Sequence, residues 1–114
     1  MTPDEMREII MSFPGAEEGE SYGAPAYKVN GKFFTRLRGE DQSVVLMGVS
    51  LDERDMLMEA EPRTFHITPH YKDYPSVLAR IETLHPGSFR GFLERKWRQI
   101  APKKLIKEFD AAKA

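Results

Sequence analysis

Ala26-Tyr27-Lys28-Val29-Asn30-Gly31-Lys32-Phe33-Phe34-Thr35-Arg36-Leu37-Arg38 is the stretch that decides the fold. Two runs with strand-forming residues flank an Asn-Gly pair, and Asn-Gly supplies the two positive-φ residues of a type I′ turn. A β-hairpin follows. β sequence continues on both sides. Upstream, Tyr22-Gly23-Ala24-Pro25 reads as a turn or bend between short strands, in a β segment that begins near Glu18. Downstream, Gly39-Glu40-Asp41 turns the chain, and Ser43–Val49 gives a third long strand of an antiparallel meander.

Helices frame this meander. Thr2-Pro3-Asp4-Glu5 is a capping box with proline at the first helical position, and Met6, Ile9, Ile10 and Phe13 then form an apolar stripe that Pro14-Gly15 ends. Ser50-Leu51-Asp52-Glu53 has the pattern of a second capping box, opening a helix through Met56, Leu57 and Ala60 that stops at Pro62. Thr64–Thr68 reads as a short strand and Pro69–Pro75 as a proline-bounded loop. Val77–Ile81 reads as another strand, with a helix as the alternative. Ser88 is expected to cap a helix with Phe89, Phe92, Leu93, Trp97 and Ile100 on one face. Ala101-Pro102 breaks it, and Lys103–Ala112 forms a last helix. The predicted fold is α+β, a single domain over residues 1–114, in the order α-β-β-β-α-β-β-α-α, with helices packed on one face of an antiparallel sheet.

Composition narrows the function classes. A chain of 114 residues builds one modest core, and its 40% hydrophobic and 31% charged content is that of a globular protein. It has no cysteine, which excludes disulfides and thiolate chemistry and fits a reducing compartment. The acidic start Met1-Thr2-Pro3-Asp4-Glu5 is unlike a signal peptide, and the charge-free apolar run near Ser43–Leu51 is too short to span a bilayer. A soluble, cytoplasmic protein without membrane association is therefore expected. Residues 1–62 hold 6 Lys/Arg against 13 Asp/Glu, a net of −7, and residues 63–114 hold 11 against 5, a net of +6. That asymmetry makes either a basic face or two halves that attract each other.

Catalytic chemistry finds little support. There is no G-x-S-x-G, no G-x-G-x-x-G and no Walker loop, so no catalytic residue and no cofactor are assigned. His66 and His70 have a metal-like spacing, but Thr68-Pro69 intervenes and no third ligand is apparent, so no metal is expected. His66, His70, Tyr71 and Trp97 form a candidate pocket, with Tyr74 beside it, although Trp97 also lies on the apolar stripe of its helix. The basic residues carry more. Lys32, Phe34, Arg36 and Arg38 share one strand parity, with Lys28 on the facing strand. Such a face either grips phosphates beside a ring or keeps an edge hairpin soluble. Arg95, Arg98, Lys103 and Lys104 cluster on the last two helices. Lys103 and Lys104 stand at a helix start, where the macrodipole favours acids.

Phe13-Pro14-Gly15-Ala16-Glu17-Glu18 followed by Tyr22-Gly23-x-Pro25-x-Tyr27-Lys28-Val29-x-Gly31-Lys32-Phe33-Phe34 is similar to the N-terminal signature of the MmcQ/YjbR family. Phe65-His66-x-Thr68-Pro69-His70-Tyr71 with Tyr74-Pro75-x-Val77-Leu78 resembles its middle signature, and Trp97-Arg98 with Ala101-Pro102-Lys103 the ending of one branch. The resemblance implies an α+β fold with a double-wing DNA-binding motif, Lys28–Arg38 serving as one wing. DNA is then the first expected partner, met by Lys28, Lys32, Arg36, Arg38, Arg95, Arg98, Lys103 and Lys104. A protein-interaction or chaperone-like module is the second reading, and a small-ligand binder at the His/Tyr loop the third. The expected assembly is a monomer or a weak dimer.

Overall fold

The computed structural model describes residues 1–113. Helix α1 (Pro3–Met11) leads into four strands, β1 (Ala16–Ser21), β2 (Ala24–Val29), β3 (Lys32–Arg38) and β4 (Ser43–Met47). Helix α2 (Leu51–Ala60), strands β5 (Phe65–His66) and β6 (Ser76–Arg80), and helices α3 (Pro86–Ile100) and α4 (Lys103–Lys113) complete the chain. The six strands form one antiparallel sheet in the order β1-β2-β3-β4-β6-β5. The α+β class is as expected. Val77–Ile81 belongs largely to a strand, since β6 takes residues 76–80.

One strand more precedes α2 than the sequence predicts. β1 carries Ala-Glu-Glu-Gly-Glu-Ser, which has neither alternation nor β-branched residues. It forms because Tyr22 and Gly23, at φ 52° and 75°, make a two-residue turn that folds β1 onto β2. Asn30 and Gly31, at φ 55° and 72°, make the matching turn between β2 and β3.

Helices α1, α3 and α4 bury their stripes on one face of the sheet. Met6, Ile10, Phe13, Leu93, Trp97 and Ile100 meet Tyr27, Val29, Phe34 and Leu37 there, with Leu105, Ile106 and Phe109 packed at the margin. Trp97 is fully buried, and its indole N–H donates to the Pro14 carbonyl at 2.9 Å, which ties α3 to the end of α1. The Thr2–Glu5 capping box is complete. At α2 only half of one forms: Ser50 caps the Glu53 amide, while the Glu53 carboxylate turns to Arg95. α3 starts earlier than expected, because His85 and not Ser88 is its N-cap and Pro86 takes the first turn. Among the described residues no helix is long and apolar enough to cross a membrane.

Candidate functional site

The face of the sheet away from the helices holds an open hollow. Tyr22, Phe33, Arg36, Met47, His70 and Tyr71 line an open cleft of about 700 Å³, with Glu40 and Tyr74 at its rim. A second hollow of about 390 Å³ continues from it along β1 and β2, sharing Ser21, Phe33 and Arg36 and reaching Lys28 and Glu17. The two share lining residues and make one groove across the open face of β1–β4.

A β-bulge decides which side chains reach that groove. Tyr27 pairs with Thr35 and Lys28 with Phe33, so Phe34 is the extra residue on β3. Strict alternation puts Phe34 with Lys32, Arg36 and Arg38. The bulge instead turns Phe34 into the core and leaves Phe33, at 36% exposure, on the open face with Arg36 and Arg38. The aromatic member of the predicted basic face is thus Phe33, and Lys32 stays at the hairpin tip, outside both hollows.

Arg36 is one of the cations lining the cleft. Among the described residues it makes no salt bridge, and its buried Nε has no hydrogen-bond partner. Its guanidinium lies 5.3 Å from the centre of the Tyr22 ring, a cation–π contact. Tyr22 itself is 94% exposed and held in the left-handed region, where aromatic residues are uncommon. Arg38, by contrast, is committed. Its side chain is 12% exposed and bridges Glu40 and Asp41 at 3.0 Å each.

The opposite wall is the loop between β5 and β6. Arg54 of α2 reaches into it, donating through Nη1 to the carbonyls of Tyr74 (3.2 Å), Ser76 (3.4 Å) and Tyr71 (3.5 Å). The loop so held presents His70 edge-on to Tyr71 at 4.8 Å and tilted to Tyr74 at 6.2 Å. Tyr71 also sits under the Arg38 guanidinium at 5.9 Å.

Behind this wall His66 Nε2 lies 2.9 Å from Asp41 and 3.5 Å from the Ser43 hydroxyl. Burial works against the Asp41 charge, yet hydrogen bonds from His66 and Ser43 and the nearby Arg38 hold its carboxyl below the usual range. A serine relay needs its histidine between serine and carboxylate, one at each ring nitrogen. Here both approach the same nitrogen, and Ser43 is fully buried, so the trio acts as a half-buried polar clasp.

The residues expected to act together are divided by the sheet. Lys28 and Arg36 line the groove. On the helical side, Arg95 forms a two-pronged contact with Glu53 at 2.9 Å and donates to the Gly48 carbonyl. Arg98 is held by Glu94 and Asp110. Lys103 and Lys104 are exposed, and unbridged among the described residues, on α4, whose apolar side packs against the core on the far side of the sheet. The candidate pocket divides likewise. His70 and Tyr71 line the cleft, His66 is tied to Asp41, and Trp97 is in the core because its indole completes the α3 stripe. Three contributors were not legible as site residues. Tyr22-Gly23 is a weak turn signal, Phe33 is displaced by the bulge, and Met47 is brought in by strand pairing alone.

Three uncharacterized proteins are similar to this chain, one from Mycobacterium bovis and two from strains of Mycobacterium tuberculosis. Each is 28% identical over 88 residues, covering 75% of this chain and 68% of its own length. No solved structure matches significantly. The model of the YjbR family matches residues 11–100, from the end of α1 through α3 and across the whole sheet. That match covers most of the chain, and the chain belongs to the YjbR family.

Proposed function

We propose that this chain is a non-enzymatic nucleic-acid-binding domain, with DNA as the partner, and that it binds through the open face of its sheet. The observation that carries this reading is Arg36, a cation without a carboxylate partner among the described residues, set among the exposed rings of Tyr22 and Phe33 and extended by Lys28 along the same groove. Cations that contact phosphates and rings that meet bases are the two components of sequence-tolerant nucleic-acid binding. The hairpins β1–β2 and β2–β3 supply the wings that the family resemblance implies. Arg95 and Arg98 are engaged in internal bridges and are assigned to stability.

Fluorescence anisotropy of labelled DNA at two salt concentrations tests the proposal. Saturable binding that weakens with salt and is lost in Arg36→Glu, while Lys103→Glu/Lys104→Glu binds like the parent, supports the open face. Binding lost in the α4 double variant and kept in Arg36→Glu would transfer the site to the helices. Absence of binding at low salt would remove DNA as the partner and leave a protein partner as the next candidate.

A further inference from the structure

We infer that the groove takes single-stranded nucleic acid, with at least one base out of its stack, and discriminates against the duplex; this rests on the nucleic-acid reading above. The rings are the first reason. Tyr22, Phe33 and Tyr74 all expose surface around one cleft. In a duplex each base face is covered by its neighbours, and only edges and phosphates remain for a protein to touch. An exposed ring gains stacking energy only from an unpaired base.

Charge is the second reason. Duplex DNA presents one phosphate per ~1.7 Å of axis, and sequence-independent affinity for it comes from neutralising many of them. Among the described residues the groove offers two cations without salt bridges, Lys28 and Arg36, and it is bordered by Glu17, Glu18, Glu20 and Glu40. That balance suits one or two phosphates of a single strand whose bases add stacking.

Shape is the third. Gly19 faces Ala26 across the β1–β2 pair, so the floor of the narrower hollow is low and flat. The wider hollow, an open cleft of about 700 Å³, has a volume within the range of small-ligand sites. Tyr22 also keeps a left-handed backbone at the lip, a conformation costing on the order of 1–3 kcal/mol and concentrated at functional sites.

The test titrates the full chain into three labelled DNAs of about 12 nucleotides, within the span that one small domain covers. They are an oligothymidylate, a duplex, and an abasic strand that keeps the phosphates and lacks bases. The single strand is expected to bind at least about tenfold tighter than both others. Two phosphate contacts give a slope of log K against log salt of about −1.4, against about −5 for six contacts on a duplex. Phe33→Ala, a partly exposed strand position, should weaken the single strand about 5- to 150-fold with an unchanged melting temperature, the range for one base–ring stack. A duplex bound as tightly as the single strand, or an abasic strand bound equally well, overturns the inference and leaves the nucleic-acid proposal standing. Failure of all three DNAs at low salt overturns both.

Discussion

Replacing Arg54 with methionine keeps most of the apolar stem of the side chain and deletes its donors. Arg54 is 6% exposed and has no carboxylate within salt-bridge distance among the described residues. Its whole polar role is to hold three carbonyls of the cleft wall through Nη1. The 3.2 Å bond to Tyr74 counts as a full charge-assisted bond, about 1.5 kcal/mol net, and the two at 3.4 and 3.5 Å as about 0.5 kcal/mol each. Burying a guanidinium without a counter-charge has its own cost, which methionine removes in part. The net loss is about 2 kcal/mol. At this chain length 1 kcal/mol moves the melting temperature by about 4 °C, so Arg54→Met should melt about 8 °C lower. The loss is local as well as global. Hydrogen exchange should speed up for the backbone of residues 70–76 before it does for β4 or α3, and binding at the cleft should weaken with it. A variant that melts like the parent, with unchanged exchange in that loop, would show that Arg54 is not what holds the wall.

Asp41→Asn probes the clasp behind the wall. The folded carboxyl has a depressed pKa, so its contribution is present above the unfolded value of about 3.9 and disappears as pH falls through the folded one. The variant should be less stable than the parent at pH 7, and the gap should close on acidification; a pH-independent gap would refute the assignment. Trp97→Phe keeps an aromatic ring in the core and removes the bond to Pro14, at a cost of about 1–2 kcal/mol in urea denaturation, where an unchanged midpoint would mean the bond contributes nothing.

Local rules carried much of the fold. Asn30-Gly31 forms the two-residue turn expected of it, Thr2–Glu5 forms its capping box, and the stripe Phe89, Leu93, Trp97, Ile100 is buried along α3. These features depend on φ preference, on backbone donors within a few residues, and on a 3.6-residue period, all of which are written in adjacent positions. β1 shows where such rules stop. Its Glu-rich segment has no strand propensity of its own and becomes a strand because β2 is there to pair with it.

Which cations could serve one surface was a tertiary matter. The sequence by itself determined that Lys28, Lys32, Arg36 and Arg38 lie on a hairpin and that Arg95, Arg98, Lys103 and Lys104 lie on the last two helices. Only the folded chain decided that the sheet separates the two groups, that Glu40, Asp41, Glu53 and Asp110 occupy Arg38, Arg95 and Arg98, and that Arg36 lies over the Tyr22 ring with no carboxylate partner among the described residues. One bulged residue exchanged Phe34 for Phe33 at the groove, because side-chain direction in a strand has a period of two and a single extra residue reverses every position beyond it.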